Sequence, residues 1–236
     1  PMYFIVGIWG GARRIYASIK YFIYTMAGSV LMLIAIIYLM MLTKNQIGAT
    51  SANVLDFYKL TIPQMPLIIG KFFGWYVFTN PQTLAFFSFS IAFAIKVPVF
   101  PFHTWQPDTY VNAPTQGTML LSGIMLKMGT FGVIKWLLPV VPLALERWGT
   151  TAIVLSVIGI VYASLIAMAQ KDFKRLIAYS SIAHVGLISA GILSANQQGI
   201  QGAVMQMLAH GVNVVGLFFI ADILLRHTGT RDLTRL

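Results

Sequence analysis

The stretch Thr83–Asn112, TLAFFSFSIAFAIKVPVFPFHTWQPDTYVN, runs as an apolar helix as far as Lys96 and then meets Pro98 and Pro101. Each proline removes a backbone donor and collides with the preceding turn, so no straight helix passes through both. A lysine at the centre of a membrane-length segment costs roughly 2.5–3.5 kcal/mol on insertion scales. Irregular backbone at that depth survives only where protein or trapped water satisfies it. A charge and a helix break at one depth therefore predict an internal hydrated site of the kind that handles ions or protons.

The membrane setting follows from composition. Hydrophobic residues make up 58% of the chain and charged residues 9%, against about 25% charged in a soluble domain. Apolar runs of roughly 20 residues predict an all-α integral membrane fold with about six complete spans and one truncated one. Pro1–Gly10 reads as the back end of a helix. The spans are Tyr21–Leu42, the proline-broken segment, Pro114–Leu138, Gly149–Ala169, Leu176–Ser194 and Gly199–Leu225. Residues 43–82 carry Lys44, Asp56, Lys59 and Lys71 and are interrupted by Pro63, Pro66 and Pro81. Their apolar pieces are too short to span, so they read as a periplasmic or interfacial loop. Residues 1–236 read as one membrane domain, an internal piece of a longer polypeptide, because Pro1 opens inside an apolar run without a signal-peptide pattern.

The formal charge of +10 is distributed as topology control requires. Arg13, Arg14, Lys20, Lys171, Lys174, Arg175, Arg226, Arg231 and Arg235 fall on one side of the spans. Lys44, Lys59, Lys71, Lys135 and Arg147 fall on the other. The richer side faces the cytoplasm by the positive-inside rule. Nucleic-acid binding is excluded on the same grounds, since the cations punctuate spans instead of forming a tract. The absence of cysteine excludes disulfides, thiolate-held clusters and a cysteine nucleophile.

Four ionisable groups share one predicted depth: Lys96, Lys127, His184 and His210 each lie near the middle of a separate span. Intramembrane charges are rare and face a cavity or one another. Gln206, His210 and Asn213 stand at i, i+4 and i+7 on one helical face, and Ser180, Ser181 and His184 share another. Gly123, Gly129 and Gly132 around Lys127 leave room for close helix approach or water. Lysine held away from water and histidine both exchange protons in the physiological range, so the row predicts a proton relay of Lys96, Lys127, His184 and His210, supported by His103, Ser181, Gln206 and Asn213. His103 and Asp108, just past the break, form a candidate cytoplasmic mouth. A metal site at the two histidines lacks a carboxylate or thiolate at that depth. Packing explains other groups as well: a single mid-helix histidine is as readily a hydrogen-bonded core group as a relay. Asp222 and Arg226 read as a helix-end ion pair, Lys171 to Arg175 as a topology anchor, and Lys135 and Arg147 as interfacial anchors.

Three segments, KVPVFPFHTWQPDTYVNAPTQGTMLLSGIMLKMGTFG, QKDFKRLIAYSSIAHVGL and GAVMQMLAHG, resemble the antiporter-like membrane subunits of respiratory complex I. The opening IWGGARRIYASIKYFIYTMAGS and the closing HGVNVVGLFFIADILLRHTGTRDL resemble the M type more than the L and N types. The resemblance implies a fold of inverted five-helix repeats, each with one broken helix. It also implies a lysine of the first broken helix at Lys96, a central relay lysine at Lys127, and histidines of the hydrophilic axis at His184 and His210. It implies proton translocation driven by quinone reduction in other subunits, with L- and N-like neighbours as partners in a bacterial inner membrane. NADH, FMN, iron–sulfur clusters and quinone are then expected in partner subunits, with no cofactor, metal or redox site in this chain, which lacks a Gly-rich dinucleotide fingerprint after a strand. Multi-subunit Na⁺/H⁺ antiporters and the membrane arms of hydrogenase or formate hydrogenlyase complexes share the lysine motifs and stand as alternatives. A passive scaffold, its buried charges merely locking helices together, is a further one.

Overall fold

The computed structural model describes residues 1–60, 67–72, 75–79 and 81–235, with side chains outside 61–82. The chain runs through α1 (Met2–Trp9), α2 (Arg14–Ile47), α3 (Val54–Phe57), β1 (Leu67–Phe72) and β2 (Trp75–Thr79), then α4 (Pro81–Lys96) and α5 (Trp105–Asn112). It continues through α6 (Thr115–Val140), α7 (Pro142–Met168), α8 (Phe173–Leu193) and α9 (Gln197–Thr228). Among the described residues, α2, α6, α7, α8 and α9 are long and apolar enough to cross a membrane. The expected sixth span is a discontinuous pair instead, α4 being a shorter apolar helix and α5 following the break that the prolines require.

The break is paired group by group. Pro98 has no N–H to offer the Ala94 carbonyl, which accepts instead from Val99 N at 2.9 Å. The freed Ile95 carbonyl accepts from the indole Nε1 of Trp105, on the far side of the break, at 2.8 Å. The two carbonyls that Pro98 removes from the helical ladder thus have internal partners.

Helix ends follow local chemistry. Asp172 caps α8 by accepting from Arg175 N, and Asn196 caps α9 by accepting from Gly199 N. Gly48 and Gly229 close α2 and α9 with φ of 81° and 72°, the left-handed turn that favours glycine. Two helices begin earlier than their apolar runs. α2 starts at Arg14, ahead of the predicted span at Tyr21, and Lys20 within it pairs with Asp108 of α5 at 2.7 Å. α7 starts at Pro142 instead of Gly149, since proline suits the first helical position. Part of the 43–82 segment is an antiparallel hairpin pairing Leu67 with Thr79 and Phe72 with Trp75. The expectations at Pro63 and Pro66 lie outside the described residues.

The two largest of five apolar clusters among the described residues lie at different places in the bundle. One, at the α2 C-terminal end, packs Leu39, Phe57, Phe86, Phe89, Phe93, Leu137 and Val141. The other buries α5 among α2, α6, α8 and α9 through Trp105, Tyr110, Tyr21, Leu121, Ile177 and Phe218. α7 and α8 pack closely at Gly186, where an added Cβ would lie 2.9 Å from the Ser156 carbonyl and 2.8 Å from the Ile160 side chain. Gly186→Ala is expected to destabilise the subunit by about 1–3 kcal/mol, seen as a lower unfolding temperature in detergent. An unchanged melt would mean that the two helices separate freely.

Candidate functional site

α6 is not uniformly α-helical. It contains two π-turns, Leu121–Met125 and Val133–Leu137, with Lys127 between them; such turns concentrate at functional positions. The Lys127 ammonium donates to the Ser122 carbonyl of the first π-turn at 2.6 Å and lies 2.7 Å from His210 Nδ1 on α9. His210 is 4% exposed, and its Nε2 lies 3.0 Å from Ser181 Oγ on α8. Gln106 of α5, fully buried, reaches Ser181 at a long 3.5 Å. A continuous polar chain thus links four helices: Lys127, His210, Ser181 and Gln106.

These contacts accommodate either tautomer of His210. When Nδ1 accepts from the Lys127 ammonium, the neutral imidazole carries its proton on Nε2 and donates it to Ser181. In the reverse state Nδ1–H donates to a neutral amine and Ser181 donates to Nε2. The same heavy-atom positions serve both arrangements, so a proton can change owner without a change of partners.

His184 extends this group along α8. Its ring centroid is 5.8 Å from that of His210, and its Nδ1 lies 3.3 Å from Gln206 Nε2. A cavity of about 480 Å³ between α8 and α9 is lined by Ser180, Ser181, His184, Gln206, His210 and Asn213. The two helical faces read from spacing therefore look into one space. Asn213 lines it without joining the Lys127–His210–Ser181 hydrogen bonds.

Lys96 stands apart. It ends α4 and lines a separate cavity of about 250 Å³ with Thr25, Ser29, Met128 and Trp136. Its stem lies over Gly129, where an added Cβ would come within 3.2 Å of Lys96 Cβ, so the glycine beside Lys127 lets α4 close on α6. His103, 3% exposed, stacks on Phe100 and meets Tyr162 of α7 edge-on. Its candidate companion Asp108 is turned to Lys20 on α2, so the structure does not bring His103 and Asp108 together as one mouth. Pro98 and Pro101 flank the break between them and Lys96.

Two polar residues at this site escape a search for ionisable groups at one depth. Gln106 is neutral, although a polar side chain in the first turn after a break is a signal. Lys174 is hidden in the run Lys171-Asp172-Phe173-Lys174-Arg175, yet it is 6% exposed and donates to the Ala113 carbonyl at 2.7 Å. It is a buried helix cap, where a topology anchor was expected. Asp222 and Arg226 form the expected ion pair at 2.9 Å. Among the described residues no three His, Cys, Asp or Glu side chains gather as metal ligands.

Comparison with known proteins agrees along the whole chain. The transmembrane family described as NADH:quinone oxidoreductase/Mrp antiporter matches residues 1–236. NADH-quinone oxidoreductase subunit M of Rhodobacter capsulatus is 43% identical over 99% of this chain, and that of Rickettsia prowazekii is 44% identical over 100%. The chain spans 44% of the length of each. In respiratory complex I from Thermus thermophilus with bound NADH, a chain superposes with a TM-score of 0.86 at 26% identity, over 100% of this chain and 46% of that one. The Mrp complex from Dietzia sp. shares the fold, with a TM-score of 0.75 at 22% identity over 98% of this chain and 23% of that one. A family match along the whole chain, a helix broken between α4 and α5 and a partly buried lysine–histidine pair coincide, and the chain belongs to the NADH:quinone oxidoreductase/Mrp antiporter membrane family.

Proposed function

We propose that this chain is part of a proton-translocating membrane subunit of an NADH:quinone oxidoreductase. The observation that carries the reading is the unbroken Lys127–His210–Ser181 hydrogen-bonded chain at the centre of the bundle. Lys127 and His210 exchange a proton across 2.7 Å. Ser181 takes up or returns the Nε2 proton, and His184 with Gln206 carries the path along the α8–α9 cavity. Lys96 is the charged group at the broken helix whose protonation biases Lys127 through the α4–α6 contact at Gly129. Each charge moved against 100 mV costs about 2.3 kcal/mol, which quinone reduction in partner subunits supplies. NADH, FMN, iron–sulfur clusters and quinone belong to those subunits, and L- and N-type membrane-arm subunits are the neighbours.

In this reading residues 1–236 form one membrane domain in a bacterial inner membrane. The cationic end, where Arg13, Lys20, Lys174 and Arg231 gather around α5, faces the cytoplasm. The segment between α2 and α4, shorter than the expected 43–82 because Thr43–Ile47 and Pro81 onward are helical, lies on the periplasmic side, with Tyr58 Oη donating to the Lys135 carbonyl.

The names of the relatives at 43–44% identity favour a quinone-reductase partner over Na⁺/H⁺ exchange. The test is to seal the intact complex carrying this subunit into vesicles and follow internal pH while NADH reduces quinone. Acidification collapsed by an uncoupler and independent of Na⁺ is expected. Acidification that needs a Na⁺ gradient and ignores quinone reduction would replace this reading with the antiporter one.

A further inference from the structure

α5 is eight residues long, and the last carbonyls of a helix have no partners within it. Here each is met from a different part of the fold. Thr118 Oγ1 donates to Tyr110 O at 3.0 Å and Arg231 Nη1 to Val111 O at 3.3 Å. Gly11 N donates to Asn112 O at 2.8 Å, and Lys174 Nζ to Ala113 O at 2.7 Å. Two of the four donors are cations.

The position of Lys174 has no explanation within its own helix. It lies in the first turn of α8, where a positive charge opposes the helix dipole, whereas the C-terminus of α5 attracts one. Its surroundings hold it there. Asp172 caps α8 and lies 3.5 Å from Arg231 Nε. Phe173 N donates to the Arg231 carbonyl and Leu233 N to that of Lys171, so both cations hang from one knot of backbone.

Lys174, Ala178 and Ser181 stand at i, i+4 and i+7, all buried on one face of α8. The helix therefore meets α5 twice, at Lys174–Ala113 and at Ser181–Gln106. We propose that Lys174, seconded by Arg231, is a positioning residue for proton transfer: its ammonium caps α5 and sets the register of the broken helix against the Ser181–His210–Lys127 chain. This inference rests on the proton-translocation reading above.

The experiment measures protons translocated per NADH oxidised in vesicles holding the intact complex, at matched amounts of assembled subunit. Lys174→Met is expected to lower that ratio about 10-fold, within the loss that a displacement near 1 Å inflicts on a transfer site. Lys174→Arg, which keeps charge and donor, is expected to restore most of it. The double variant Lys174→Met with Gln106→Ala is expected to be no worse than Lys174→Met alone, because both loosen one register, that of α5 against α8. Where Lys174→Met does not assemble, Lys174→Gln and Arg231→Gln take its place, each with a smaller fall expected. A normal ratio in the Lys174 variants that assemble, or losses that multiply in the double variant, overturns the positioning role. Full pumping by Lys127→Met overturns instead the reading on which it rests.

Discussion

Replacing Lys127 by arginine is expected to stop NADH-driven proton translocation although the positive charge stays in place. Lys127 donates to Ser122 O at 2.6 Å and faces His210 Nδ1 at 2.7 Å. A guanidinium can make both bonds, and the cavity of about 530 Å³ that Lys127 lines with Gly123 and Gly211 has room for it. A guanidinium does not release its proton in a protein. Loss of a positioned acid–base group costs about 10²-fold in proton transfer, enough to make this station limiting. Lys127→Met, which removes charge and proton together, is expected to fail equally. A scaffold whose charge only locks helices makes the opposite forecast: each assembled variant pumps, and Lys127→Met only lowers the amount that assembles. Initial rates of vesicle acidification, at matched subunit abundance, separate the two. Pumping at the parental rate by Lys127→Arg would remove Lys127 from the proton path.

Much of this arrangement is legible in the sequence because the bilayer makes polarity expensive. Lys96 followed by Pro98 and Pro101 announces a broken crossing, and the structure divides it at Lys96 and Trp105. The i, i+4, i+7 spacing of Gln206, His210 and Asn213 places them on one face, and they line one cavity with Ser181 and His184. Spacing within a helix does not give contacts between helices. Four groups at one depth suggest an even row, whereas the structure joins Lys127 to His210 and leaves Lys96 in a cavity of its own. The π-turns of α6 have no signature in composition, and the Ser122 carbonyl of the first accepts from the Lys127 ammonium. Hydropathy also misplaces helix ends. Arg14, Lys20 and Arg147 are polar, but their helices continue through them because carbonyls and carboxylates at the bundle's ends, or plain solvent, receive the side chains. Lys174 is the instructive miss. In a run of four charged residues, only its alignment with Ala178 and Ser181 marks it as the one turned inward.

His210→Gln is expected to separate hydrogen bonding from proton carriage at the second station. The imidazole lies between two partners, Lys127 at 2.7 Å and Ser181 at 3.0 Å. A glutamine amide offers an oxygen to accept from the ammonium and an NH₂ to donate to the hydroxyl. Both buried groups stay paired, so stability should change by less than about 1 kcal/mol. The amide cannot take up a proton, and translocation should fall by about 10²-fold. His210→Leu removes the same function by a different route. It leaves the Ser181 hydroxyl and the Lys127 ammonium without their shared partner, at a cost of about 1–3 kcal/mol for the neutral group and more for the charged one, so its unfolding temperature should drop together with pumping. Melting curves in detergent and acidification rates in vesicles give the two readouts independently. If His210→Gln pumps as the parent does, a water or a neighbouring group carries the proton past α9, and the 2.7 Å contact serves packing alone.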